Sequence, residues 1–279
     1  MENSNSKKEA VNGIIKALIA FVVGMIVNKT MESVTPRFIS DYIIYQFINE
    51  AVFAAVVIFF LIIYRKTSVM RGNFTGISKG VWPAVALLAT PVIAILTRLG
   101  SVKISVRTYD VILAVIFFFL IGVAEEFLFR GIIQNAFHDY FGEDTRGHII
   151  KAIVVASVIF GSTHMLNAIS PDIPFSAAAV QAASAIMSGL IFGTIYYRTH
   201  KCIWFNALLH GLYDGILLIA GGIFAGESAT KLIGRGASDA STGMGWVGIA
   251  WEMLVPLVIF LVISRKKKIE VKNPVKLES

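Results

Sequence analysis

Apolar positions along this chain neither alternate nor recur as a single helical stripe; they run on unbroken, stop at short polar stretches and resume. Eight such segments fall at residues 11–28, 42–64, 81–97, 109–137, 148–166, 177–197, 202–224 and 245–264. A helix that crosses a bilayer needs a continuous run of this kind, whereas a helix on a water-soluble core shows one apolar face. The pattern therefore predicts an all-α fold, a polytopic membrane helix bundle of about eight transmembrane helices, with residues 1–279 as a single membrane domain. The first segment follows Lys7-Lys8 and is read as a retained helix, because no small-x-small cleavage site closes its apolar run.

Composition agrees with this pattern. Of 279 residues 56% are hydrophobic and only 15% charged, against about a quarter charged in soluble domains. A net charge of +7 would suit a nucleic-acid binder, but the basic residues lie between the apolar segments and in the tail Arg265-Lys266-Lys267-Lys268. That placement fits anionic lipid headgroups, so membrane lipids are the expected partners and nucleic acid is not. With the N-terminus inside, 15 of the 25 Lys and Arg fall in cytoplasmic loops, so both termini are expected in the cytoplasm. The expected location is a bacterial plasma membrane. The one cysteine, Cys202, excludes an internal disulfide and a thiolate metal cage, and is read as packing.

Smaller signals refine the segments. Trp82, Trp204 and Trp246 sit near segment starts, as interfacial aromatics do. Ala185, Gly189 and Gly193 recur every four residues, a spacing that lets a neighbouring helix approach closely. The stretch from Gly226 to Gly245, rich in Gly, Ser, Ala and Thr, is expected to be a flexible loop.

Segment four carries the first chemistry, since Glu125, Glu126 and Arg130 stand in an apolar run where a charge costs several kcal/mol. On an ideal helix Glu126 and Arg130 point within about 40° of each other, whereas Glu125 and Arg130 diverge by about 140°. Arg130 is therefore expected to pair with Glu126, leaving Glu125 free to act as a base towards water. Segment five ends Phe160-Gly161-Ser162-Thr163-His164, which sets Phe160 and His164 on one face, with Gly161 and Ser162 open to close helix approach. Segment seven holds His210 and Asp214, again four apart. Counted from the cytoplasmic segment ends, Glu125 and Asp214 lie at about 18 Å, His210 at about 12 Å and His164 at about 24 Å. Four polar side chains from three helices at similar depth point to one site. His138, His148 and His200, near segment ends or in loops, are expected to be solvated.

These residues, EEFLFR at 125–130, FGSTH at 160–164 and HGLYD at 210–214, resemble the EExxxR, FxxxH and HxxxN or HxxxD motifs of the CPBP family of CAAX proteases and bacteriocin-processing enzymes. The family is also called Abi, or type II CAAX prenyl endopeptidase. The resemblance spans about residues 109–220, a catalytic core, and implies an intramembrane endopeptidase acting on a membrane-associated peptide or protein. It implies that Glu125 and His164 activate the attacking water and that His210 and Asp214 stabilise the oxyanion, with Glu126, Arg130 and Phe160 in support. An ionised Asp cannot donate to an oxyanion as Asn can, so Asp214 is protonated, orients His210 or serves as a ligand. Glu125, His164, His210 and Asp214 could also supply the ligands of a zinc ion; a metal-free mechanism uses the same four residues, and both stay open. The scissile segment is expected to approach from the cytoplasmic half. Two other classes compete with hydrolysis: a non-catalytic immunity or regulatory scaffold, and a proton-coupled transporter, which would call for inverted repeats of broken helices.

Overall fold

The computed structural model describes residues 2–40, 42–96, 108–169, 173–218, 246–265, 269 and 271. Among them every regular element is helical. The helices are α1 (Glu2–Val34), α2 (Tyr42–Ile63), the short α3 (Ser68–Arg71), α4 (Ser78–Leu96), α5 (Thr108–Glu126), α6 (Asn135–Phe141), α7 (Arg146–Thr163), α8 (Phe175–Arg198), α9 (Ile203–Leu218) and α10 (Trp246–Ile263). A π-helical stretch, Phe127–Gln134, joins α5 to α6, and a 3-10 stretch, His164–Ile169, continues α7.

Each of the eight apolar segments thus contains a helix among the described residues. Among the described residues, four stretches are long and apolar enough to cross a membrane: Ser6–Arg37, Ile44–Ile63, Arg146–Ile169 and Phe175–Arg198. The stretch from Gly226 to Gly245, expected to be a loop, lies outside the described residues, as do Lys266 to Lys268 of the basic tail.

One end of the bundle gathers basic residues that follow α2 and α8 or open α7. There Lys66 bonds Asp139 at 3.1 Å, Lys201 bonds Glu143 at 2.6 Å and Trp204 donates to the Met70 carbonyl at 2.6 Å. Arg146 and Arg198 donate to the carbonyls of Ser264 and Ile263 at the foot of α10. The other end carries the close of α1, the start of α2 and the 3-10 stretch after α7, where Thr35 donates to buried Asn49 at 2.8 Å.

Two apolar clusters fill the bundle. One joins α1, α2 and the π-helical stretch around Phe53, Leu61, Phe127, Leu128 and Ile133, all 5% exposed or less. The other joins α4, α7, α8 and α10 around Leu87, Ile153, Ile191 and Ile263. Outward-facing Ile19, Ile26, Phe59, Ile62, Val85 and Leu261 leave the perimeter apolar. A soluble domain of this size would have to cover such a belt; a bilayer does so without cost.

Close approach between α5 and α9 fixes the site's position. A Cβ placed at Gly122 would collide with the Ala207 carbonyl, and one at Gly211 would lie 2.6 Å from the Phe118 carbonyl. These two glycines let the antiparallel backbones touch, bringing the acidic end of α5 against the middle of α9. A similar contact joins α7 to α8, where a Cβ at Gly161 would lie 2.6 Å from the Ala182 carbonyl and one at Gly189 3.2 Å from Phe160. The packing role expected of Gly161 and Gly189 is what the helices show, whereas Ser162 is exposed.

Candidate active site

Beneath the site, Glu126 and Arg130 form a sealed ion pair with Glu126 Oε1 3.0 Å from Arg130 Nη1, the side chains 0% and 1% exposed. The pairing follows the predicted helix phase, but the backbone that carries it is π-helical from Phe127 onwards. Such insertions concentrate at functional sites, because they re-aim the side chains around them. Arg130 Nη2 also donates to the Gly189 carbonyl at 3.2 Å, and its guanidinium lies 4.8 Å above the Phe160 ring and 5.6 Å from Phe192. One cation is thus held by a carboxylate, a carbonyl and two aromatic faces, contacts that together offset its desolvation.

Glu126 has two further partners, each held in turn by Phe192. Asn206 Nδ2 donates to its Oε2 at 2.5 Å and also to the Phe192 carbonyl at 3.1 Å. His210 Nδ1 lies 2.7 Å from Glu126 Oε1, and the His210 ring stacks on Phe192 at 4.6 Å with 20° between the planes. With Nδ1–H given to Glu126, the imidazole has one orientation, and its Nε2 points away from the sealed pair. There it meets Glu125 Oε2 and Asp214 Oδ2, each at 3.4 Å. Glu125 and Asp214 keep 23% and 28% of their side chains exposed. Glu125 is free of Arg130, as predicted, and faces His210 instead.

Phe160 links the remaining member. Its ring meets His210 edge-on at 5.8 Å and His164 edge-on at 5.5 Å, and packs against Phe129 at 4.9 Å. His164 is half-buried where α7 passes into the 3-10 stretch. Glu125, His210 and Asp214 therefore converge on one nitrogen, and His164 borders them across the Phe160 ring.

Towards the basic end of the bundle the site rests on a packed polar column. From Glu126 towards the basic end, Arg130, Gln134 and His138 are at most 1% exposed. Gln134 donates to the Gly193 carbonyl at 3.0 Å and lies 3.2 Å from His138 Nε2. His138, expected to be solvated, is thus part of the interior and lies 5.2 Å from the Tyr197 ring. His148 and His200 do lie at the surface.

Sequence reasoning passed over Asn206, Phe192 and Glu50. Asn206 was detectable, standing four residues before His210 as Asp214 stands four after, so all three share a face of α9. Phe192 carries no such mark in an apolar helix. Glu50 bears the same signal as Glu125, a carboxylate within an apolar segment.

Among the described residues, no group of three or more His, Cys, Asp or Glu is placed to hold a metal ion. Of the four donors expected of a zinc site, Glu125 and Asp214 face His210 Nε2, whose partner nitrogen is committed to Glu126, and His164 stands across the Phe160 ring.

The fold and site define an all-helical membrane protein with a carboxylate–histidine cluster set among its helices. Residues 107–216 match the family model described as type II CAAX prenyl endopeptidase Rce1-like. This stretch holds all three motifs, so the family read from them is borne out. No curated protein and no solved structure gives a significant match to the chain.

Proposed function

We propose that this chain is an intramembrane endopeptidase that hydrolyses a peptide bond of a membrane-associated peptide or protein. The observation that carries the reading is His210, held at Nδ1 by a sealed Glu126–Arg130 pair while its Nε2 faces two partly open carboxylates. A site built only to bind has no need of a histidine with one nitrogen anchored and the other presented.

In this mechanism Glu125, aided by His164, takes a proton from water as the oxygen attacks the carbonyl carbon. The carbonyl oxygen gains the charge and accepts a hydrogen bond from His210 Nε2–H. When the tetrahedral species collapses, the carbon–nitrogen bond breaks and the proton held on Glu125 passes to the leaving amine. Asp214, placed beside Nε2, supports the imidazolium, which is the role open to an ionised Asp. Glu126, Arg130 and Asn206 hold His210 in place without touching substrate. With Arg130, Gln134 and His138 buried towards the basic end, this reading has substrate and water reach the site from the opposite end of the bundle.

Reconstitution in lipid vesicles with a labelled, membrane-anchored peptide tests this reading. Glu125→Ala and His164→Ala, each checked for folding, are expected to lose at least about a hundredfold in cleavage, the scale of general-base catalysis. Cleavage untouched by either change would sink the mechanism. If both variants lose cleavage yet keep protecting or regulating cells, the scaffold reading replaces it.

A further inference from the structure

Glu50 is a carboxylate that the mechanism above does not use. It stands half-buried in the span Ile44–Ile63 and has no hydrogen bond or ion pair to another described residue. An unpaired acid at that depth costs several kcal/mol, and such residues in membrane helices mark sites of function.

Its direction follows from its neighbours. Phe47 on α2 packs against Phe117 on α5, ring centroids 5.3 Å apart. Six residues on, Phe53 shares a contact point with Leu128, because a Cβ at Gly24 of α1 would touch them at 3.1 and 3.9 Å. The two helices thus run in the same direction with these contacts above and below. Glu50 lies midway between Phe47 and Phe53, three residues from each, and Glu125 lies between Phe117 and Leu128. Spacing of three keeps Glu50 on the α2 face that meets α5. It is within electrostatic reach of Glu125 and, from α1, of Lys29 and Glu32; Lys29 reaches His164 as well.

Two cations on the neighbouring helices are committed to other carboxylates. Lys29 is already bonded to Glu32 at 2.7 Å, and Arg130 belongs to Glu126. Glu125 and Asp214 share His210, exposed Arg37 lies two residues beyond Thr35, which bonds Asn49, and no described residue makes a hydrogen bond or ion pair with Glu50. Resting on the endopeptidase reading, we propose that Glu50 is a specificity-determining residue, selecting substrates that carry a basic side chain next to the scissile bond. Electrostatic complementarity of this kind sets which partner binds.

The test uses a membrane-anchored peptide library in vesicles, randomised among Lys, Ala and Glu at successive positions. Binding is read on the Glu125→Gln protein and cleavage on wild type. Lys-bearing peptides are expected to be enriched about tenfold over Glu-bearing ones in both readouts, the effect of one good charge pair. Glu50→Gln removes the enrichment, Glu50→Asp keeps part of it and Glu50→Lys turns it towards Glu-bearing peptides. Equal preference in wild type and Glu50→Gln, or no charge preference in binding, overturns the proposal. Should cleavage depend on Glu125 while charge preference ignores Glu50, the endopeptidase reading stands and this one fails. Should Lys-bearing peptides bind through Glu50 with none cut by wild type, the cation site stands and the endopeptidase reading fails.

Discussion

Glu125 and Glu126 are adjacent in sequence yet belong to two differently built halves of one site. Below, Glu126 has no exposure and is bound by Arg130, Asn206 and His210. Above, Glu125, Asp214 and Glu50 remain partly open and share a single histidine nitrogen or no partner at all. The lower half satisfies its charges internally and so is rigid; the upper half leaves charge unsatisfied for a substrate to complete. Paired polar groups fix geometry, and unpaired ones are free to react.

If this division is right, substitutions in the two halves fail in different ways. The largest loss of stability is expected from Arg130→Ala, which strands Glu126 in the interior, at about 3–5 kcal/mol. Thermal unfolding in detergent measures it, and a wild-type midpoint would break the comparison. Asn206→Ala comes next at about 1–3 kcal/mol, since it leaves buried Glu126 Oε2 without its Asn206 donor. It should also loosen His210 and reduce cleavage without abolishing it. Asp214→Asn belongs to the upper half and is expected to leave the unfolding midpoint unchanged while lowering the cleavage rate a few-fold, because the imidazolium loses a neighbouring charge.

The smallest effect falls outside the membrane, at exposed Asp144. The His148 side chain 2.8 Å away holds the Asp144 carboxyl below its ordinary range. A depressed carboxyl pKa adds stability that is present above the unfolded value and lost as pH falls through the folded one. Asp144→Asn should therefore flatten the acid limb of a stability-against-pH curve slightly and leave cleavage alone.

Much of this arrangement could be read from residue order. The helical fold followed from apolar runs, and the Glu126–Arg130 pair followed from helical phase even though the backbone there is π-helical, because the pair straddles its first residues. His210 and Asp214 met as their spacing of four required. Other parts were hidden for physical reasons. Gly122 and Gly211 decide that α5 and α9 touch, but a lone glycine in an apolar helix does not name its neighbour. Phe192 stacks on His210 from a third helix, and no periodicity within α9 reveals it. His138 was misjudged because closeness to a segment end was equated with solvent, whereas α6 carries it into the interior beside Tyr197.

The most direct test compares Glu125→Gln with Glu126→Gln, measuring peptide cleavage in vesicles and the unfolding midpoint for each. Glu125→Gln should lose at least about a hundredfold in turnover with a wild-type midpoint, while Glu126→Gln should lower the midpoint by several degrees as its ion pair is lost. A stable Glu126→Gln protein without turnover, beside a destabilised Glu125→Gln protein that still cleaves, would reverse the two roles and contradict the account.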